Sequence, residues 1–385
     1  MVLAGLSGAS PLATDMYVPA LPDLARSLGT DASGAQMSLT GFLAGIIVGQ
    51  LVLGPLSDAV GRRPVLMGGS VLFAVFSTVC ALAPTVEVLN AARVGQGVTG
   101  AAGIVVSRAV VADLFDDREL SSVFSRLGAI TAMAPVLAPL AGGALLLMVS
   151  WRYVFVVLAL MGVFLALGVW RWIPESHPPP ARLRGGLAAS LRTIGQVAGR
   201  RAILTPVLAL ACGGAAVFAY IAGTTFVFQD IYGLSPALSS LVYGVNAVGN
   251  MAGSLAYGRL ARRRAPEDLL VISGVMATTG TAALCLIQAT TGGAMLLTWL
   301  CLLITISAFG LFFPAVMTVA QSRGRAAPGA TSALLGGGQF LFGAAASPLV
   351  GLFGTHSPAP MAAVMTSCLA LGTVAAVVAK RAHGS

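Results

Sequence analysis

The sequence predicts an all-α membrane protein with 12 transmembrane helices in two pseudo-symmetric six-helix bundles. Three observations carry that prediction. The 385 residues are 57% hydrophobic and only 9% charged, with a mean hydropathy of +0.91, a composition typical of polytopic membrane chains. Apolar runs of about 20 residues, each long enough to cross a bilayer as a helix, recur along the whole length. Arginine gathers in every second loop, which is the charge asymmetry of alternating membrane topology. Spans are predicted at 2–27, 36–57, 64–84, 88–113, 121–147, 152–172, 202–229, 236–258, 268–290, 294–320, 329–354 and 359–380.

The first span starts at residue 2 or 3, without a basic lead, and Pro11 and Asp15 make it a poor cleavable signal. A trimmed N-terminus is expected. Asp15 lies mid-span. A carboxylate there costs about 3 kcal/mol or more, so it marks a functional position facing the bundle interior. Pro11, Asp15 and Pro19 follow at i, i+4 and i+8, and the prolines release backbone carbonyls that need partners from protein or a wet cavity. A structural Asp satisfied by a neighbouring amide or hydroxyl is the plainer alternative.

Between the second and third spans runs Gly54-Pro-Leu-Ser-Asp-Ala-Val-Gly-Arg-Arg-Pro64. Gly54 and Gly61 permit close packing and positive φ where the chain reverses. Pro64 suits the first turn of the next helix, and Arg62 and Arg63 mark the cytoplasmic side. Asp58 needs a partner, which is either these arginines or a helix N-terminus.

In the fourth span, Arg93 begins a face that continues through Gly97, Gly100, Ile104 and Ser107, small enough for close helix approach. Snorkelling to the interface is the competing reading. The Gly95-x-Gly97-x-x-Gly100 spacing follows no strand and is rejected as a dinucleotide fingerprint. No G-x-x-x-x-G-K-[ST] exists, and Lys380 is the only lysine. Energy must therefore come from an ion gradient, the substrate's own gradient or a separate partner.

Arg62 and Arg63, Arg118, the group Arg182 to Arg201, Arg259 to Arg264, Arg323 and Arg325, and the tail residues Lys380 and Arg381 all fall on one side. That places both termini in the cytoplasm and the protein in the inner (cytoplasmic) membrane. The longest loop carries His177-Pro-Pro-Pro180 followed by arginines, a linker suited to an anionic membrane surface. The expected organisation is an N-terminal bundle 1–172, a cytoplasmic linker 173–200 and a C-terminal bundle 201–385. Gly49-x4-Gly54-x-Leu56 returns as Gly253-x4-Gly258-x-Leu260, and Pro139-Leu-Ala-Gly142 returns as Pro348-Leu-Val-Gly351. Such echoes fit a parallel repeat of two halves. The second copy has Arg262 where the first has Asp58.

In the second half, Tyr243, Asn246 and Asn250 share one helix face, with Tyr220 and Gln339 as further polar interruptions. They are the candidates for a substrate cavity. All five cysteines fall in apolar spans without C-x-x-C spacing, and the three histidines form no constellation. No metal, no cofactor and no nucleic-acid partner is expected, because the net charge of +9 is dispersed as topology requires.

The hairpin resembles the G-x-x-x-D-x-x-G-R-[RK] signature of the major facilitator superfamily. Leu89-x3-Arg93-x2-Gln96-Gly97, and Pro135 with Pro139-Leu-Ala-Gly142-Gly143, resemble motifs of that superfamily's drug–proton antiporters, although Ala134 stands where Gly is usual. Asp15-Met-Tyr17-Val-Pro-Ala-Leu-Pro22, Trp151-Arg-Tyr-Val-Phe155 and Pro174-Glu-Ser176 are similar to the bicyclomycin-resistance (Bcr/CflA) subfamily, relatives of which export phenicols. The resemblance is close in the first half and mainly topological in the second. It implies the major facilitator fold, Asp15 as the proton-carrying acid, Arg93 as its coupling partner, and Tyr17 at the cavity. It also implies Gly54, Asp58, Gly61, Arg62, Arg63, Asp113, Pro135, Pro139, Gly142 and Gly143 as gating and conformational positions.

The function expected is proton-coupled export of small hydrophobic drugs or antibiotics by a monomer in the lipid bilayer. The alternative is a sugar or metabolite transporter of the same fold, which calls for more hydrogen-bonding groups than this chain offers. An intramembrane enzyme would need a nucleophile–base pair or metal ligands at helical spacing, and neither is visible. A channel would need a ring of charges or carbonyls around a pore.

Overall fold

The computed structural model describes residues 2–114, 133–177, 192, 194–291, 293–324, 328–352 and 357–384, and every regular element among them is helical. The chain forms two compact units, one of Met1–Thr30 with Met37–Leu191 and one of Asp31–Gln36 with Arg192–Ser385.

In the first unit, α1 (Val2–Asp15) ends where the resemblance places its acid. Pro19 lacks the N–H that would bond the Asp15 carbonyl, and Pro22 lacks the one for Val18. The chain therefore passes through a 3₁₀ turn, Val18–Ala20, before α2 (Leu21–Ser27). The predicted first span is thus one helical path broken just after Asp15. There follow α3 (Ala32–Val60), α4 (Arg62–Leu82), α5 (Val86–Leu114), α6 (Met133–Leu146) and α7 (Arg152–Trp172). Residues 121–132 of the predicted fifth span lie outside the described residues. Helices α4 and α5 pack together, α4 also meets α7, and α1 lies against α5 and α7. Their shared core includes Leu6, Leu66, Val106, Leu165 and Val169.

The second unit holds α8 (Arg201–Phe226), which widens into one π turn at Val227–Ile231. After it come α9 (Pro236–Leu260), α10 (Pro266–Thr291), α11 (Met295–Arg323), α12 (Pro328–Leu352) and α13 (Ala359–Gly384). Helix α8 is the hub, packed on α12, α13 and α11. Phe309, Phe312, Val316, Leu210 and Leu270 fill the core, and Val197, inside the predicted linker, joins them. Also within this unit, the Gln36 amide donates to the Ala222 carbonyl at 3.1 Å and accepts from Gly351 N–H at 2.9 Å.

Among the described residues, nine helices are long and apolar enough to cross a membrane. Helix α1 is shorter, α6 is described only over Met133–Leu146, and α9 has the length but carries Ser239, Ser240, Tyr243, Asn246 and Asn250. The outward surfaces are apolar. On α7, Leu160, Phe164 and Leu167 are each more than half exposed, a face that water would not tolerate and lipid does.

Close helix contact explains much of the glycine. A Cβ at Gly97 on α5 would run into the Phe42 carbonyl of α3, and one at Gly310 on α11 would meet the Asn250 carbonyl of α9. Gly49 and Gly253, paired by the sequence repeat, likewise abut the Val98 and Ser307 carbonyls. The echo between the halves is thus a repeated helix-crossing device. Gly97→Val should destabilise the first unit by about 3 kcal/mol or more, because backbone cannot yield as a side-chain end can. Gly68→Ala, where a Cβ meets nothing within 4 Å, should be harmless. Yield of monodisperse detergent-solubilised protein distinguishes them, and equal yields would refute the crossing argument.

Candidate functional site

Arg93 sits seven residues into α5 and is wholly buried. Its guanidinium lies 4.2 Å from the Phe42 ring centroid, 4.8 Å from that of Tyr17 and 5.7 Å from that of Phe155. These rings come from α3, the turn after α1, and α7. Nη1 donates to Gln96 Oε1 at 2.7 Å and to the Ala13 carbonyl at 3.2 Å, and Nε donates to the Ser38 carbonyl at 3.4 Å. Gln96 Nε2 donates in turn to Ser77 Oγ at 2.7 Å. Nη2 has no hydrogen-bond partner among the described residues. Aromatic faces worth about 2 kcal/mol or more in a desolvated site, with carbonyl and amide oxygens, take the place of a counter-ion.

Asp15 is half-buried at the end of α1, two residues from the carbonyl that Arg93 holds. No ion pair joins Asp15 to Arg93 among the described residues. Tyr17, expected at the substrate cavity, is fully buried. Its hydroxyl shares a hydrogen bond with Ser38 Oγ and its ring packs on Phe155, 5.1 Å between centroids. Trp151 stacks edge-on against Phe155, 6.0 Å away, and donates to Ser27 Oγ at 2.7 Å. Gly142 of α6 packs on the Met16 carbonyl, next to Asp15, where a Cβ would collide. Pro139 and Gly143 are buried beside it, and Pro135 is exposed.

A second cluster forms where α3 turns into α4. Gly61, at φ 109°, occupies a conformation closed to other residues and caps α4. Its N–H bonds back to the Ser57 carbonyl, which brings Arg62 over the end of α3. Arg62 bonds Asp58, donates from Nη1 to Ser57 Oγ at 2.6 Å, and donates from Nε to Asp113 Oδ2 at 3.1 Å. Asp113, from the far end of α5, also accepts from Ser176 Oγ at 2.9 Å. The Glu175 carboxylate takes the exposed first N–H groups of α4, Arg62 N at 2.9 Å and Arg63 N at 3.3 Å, a charge well placed against the helix dipole. Arg63 Nη2 donates to the Trp170 carbonyl at 2.6 Å. Gly54 packs near Val105 of α5. The sequence offered Asp58 a choice of partners, and the fold selects Arg62.

Arg62 therefore bridges two carboxylates in a part-buried setting. Arg62→Gln should cost about 1–3 kcal/mol, less than a fully buried pair because Asp58 and Asp113 keep some solvent. Asp113→Asn in that background should recover part of it. Thermal unfolding of the two single variants and the double variant tests this, and strict additivity would deny the bridge.

In the second unit, Asn246 donates to Tyr220 Oη at 2.9 Å and accepts from Trp299 Nε1 at 3.1 Å. Tyr243 donates to the Ile221 carbonyl at 2.7 Å, with its ring 5.0 Å from Tyr220. Asn250 donates to the Ile306 carbonyl at 3.1 Å. These groups clamp α9 to α8 and α11, a role that helical spacing alone did not separate from lining a cavity. Gln339, half-buried on α12 with its stem against Gly214 of α8, shows no side-chain hydrogen bond among the described residues.

Phe42, Ser38 and Trp299 have no role in the sequence analysis, and Glu175 enters it only within Pro174-Glu-Ser176. Phe42 is one of 16 phenylalanines, and nothing in its neighbours distinguishes it. Glu175 did carry a signal, an acid just past a helix end.

Residues 3–348 match the family model of the Major Facilitator Superfamily. The chain is 38% identical over 376 residues to "Uncharacterized MFS-type transporter YdgK" of Bacillus subtilis, covering 97% of this chain and 93% of that one. It is 28% identical over 385 residues to "Bicyclomycin resistance protein homolog" of Haemophilus influenzae, covering 97% and 94%. Among solved structures, a point mutant of the nucleoside transporter NupG superposes with a TM-score of 0.76 at 12% identity, covering 99% and 98%. That last likeness is one of fold.

Proposed function

We propose, from the fact that this chain belongs to the Major Facilitator Superfamily, that it is a secondary transporter exporting small, largely apolar antibiotics in exchange for protons. Similarity to a bicyclomycin resistance homologue along nearly the whole of both chains is the observation that carries the substrate class. The protein is a multi-pass membrane protein, and its seat is the cytoplasmic membrane with both termini inside. It works as a monomer by alternating access.

Asp15 is the proton carrier. A half-buried carboxyl at a proline-broken helix end can be reached by solvent in one state and sealed in another. Arg93, caged by aromatic rings and holding the Ala13 carbonyl, fixes the end of the helix that bears the acid. Its unengaged Nη2 leaves one donor for the ionised acid at another stage of the cycle. Gln339 is the candidate for a polar substrate contact. The cluster around Arg62 restrains the inner ends of α3, α4 and α5 between states.

Purified protein in proteoliposomes, loaded with bicyclomycin or a phenicol, tests the reading. Uphill drug movement is expected only with an imposed proton gradient. Drug flux indifferent to that gradient would remove the coupling, and preferential movement of a sugar or nucleoside would remove the substrate class.

A further inference from the structure

We propose that the end of the second unit where α10 begins and α13 finishes is a headgroup site for an anionic phospholipid of the cytoplasmic leaflet. A cavity of about 440 Å³ lies there, lined by Arg263, Arg264, Asp268, Lys380, Val271 and Ile272. Three of these side chains are cations and one is a carboxylate, an excess of two positive charges. Lys380 Nζ meets Asp268 Oδ1 at 2.8 Å, which ties the start of α10 to the end of α13 and neutralises the acid. Arg263 and Arg264 are left exposed, with no side-chain hydrogen bond or ion pair among the described residues. Their backbone closes a turn at the end of α9, where both N–H groups fold back onto the Leu260 carbonyl at 2.9 Å. Two exposed guanidiniums beside a cavity present the forked donors that phosphodiester oxygens accept.

The wall beyond the charges selects lipid over soluble phosphate. Val271 and Ile272 line the cavity one turn into α10, and further along the same helix Val275 is 49% exposed and Met276 45% exposed. A headgroup seated on the arginines would lay its acyl chains along this strip. Topology alone asks only for basic residues near span ends, and needs neither a cavity nor an apolar continuation from it. Basic recesses at the cytoplasmic side of membrane helices hold such headgroups by the same physics.

The leaflet rests on the proposed orientation. A fluorescent-protein fusion at the C-terminus checks that separately, because a dark, external tail would overturn the leaflet without touching the binding contrast. The binding experiment is native mass spectrometry of the delipidated full chain titrated with dioleoyl phosphatidylglycerol, dioleoyl phosphatidylcholine or glycerophosphate. Phosphatidylglycerol should bind about tenfold more tightly than phosphatidylcholine, and Arg263→Gln/Arg264→Gln should erase that difference. Arg200→Gln/Arg201→Gln, which removes the same charge from the same proposed side, should leave it intact. Equal binding of the two lipids, equal loss in the control pair, or displacement of phosphatidylglycerol by equimolar glycerophosphate would each overturn the lipid site.

Discussion

Asp15→Asn should leave a folded protein that binds drug, yet abolish both uphill export and the release of a proton on drug addition. The substitution preserves the shape of a side chain that forms no ion pair among the described residues, so little packing is disturbed. What disappears is the ability to change charge. If one proton exchanges for one neutral drug molecule, each cycle moves one charge, and a membrane potential of about 150 mV then supplies about 3.4 kcal/mol. That corresponds to an accumulation ratio of a few hundred-fold. The variant should fall from that ratio to equilibration. Drug added to solubilised protein in weak buffer with a pH indicator reads the proton directly. Wild-type release from Asp15→Asn would move the carrier elsewhere, with Asp113 the next acid to test.

Arg93→Met should separate function from stability with comparable force. Burying a guanidinium is costly, and apolar replacements of similar volume are often neutral or stabilising. Methionine can fill the space among Phe42, Tyr17 and Phe155, while Gln96 and the Ala13 carbonyl lose a donor at about 1–3 kcal/mol each. These effects nearly offset, and the thermal midpoint should move by only a few degrees. Uphill export should nevertheless drop by on the order of a hundredfold, because the helix end bearing Asp15 loses its charged tether. Arg93→Lys should also fail to restore it, since a point charge cannot lie flat against Phe42 while donating to both Gln96 and Ala13. Export at wild-type rates from Arg93→Met would make Arg93 a packing residue. A collapse of stability instead would show that the cage depends on its cation.

Residues close in sequence were readable because their interactions are local. The Gly61 hairpin declared its turn, its cap and its acid within 11 residues. The prolines around Asp15 declared freed carbonyls on the turn just before them, while the 3₁₀ turn at Val18–Ala20 that breaks the predicted span 2–27 appears only in the structure. Whether Asp58 would meet Arg62, Arg63 or a helix end was open, since all lie within reach of one short side chain.

The residues of the Arg93 cage come from α1, α3, α5 and α7, more than 130 positions apart at the extremes, from Tyr17 to Phe155. Their types are common in any apolar span, so no pattern distinguished Phe42 from a lipid-facing phenylalanine. The shared face of Asn246 and Asn250 likewise did not report that their amides join α9 to α8 and α11. Periodicity reports that residues share a face, and only packing reports what that face meets.

The sequence by itself determined the membrane class, the family motifs and the two charges on which coupling is proposed to rest. Each is a matter of composition or short-range spacing, where the energy of a charge in hydrocarbon or of a proline in a helix dominates. Tertiary structure alone decided that Arg93 is held by aromatic rings and carbonyls and forms no ion pair with Asp15. It also decided that Glu175 caps α4 and that paired glycines mark helix crossings in both units. Those outcomes depend on contacts between distant segments, whose small individual energies are settled only when all the helices pack together.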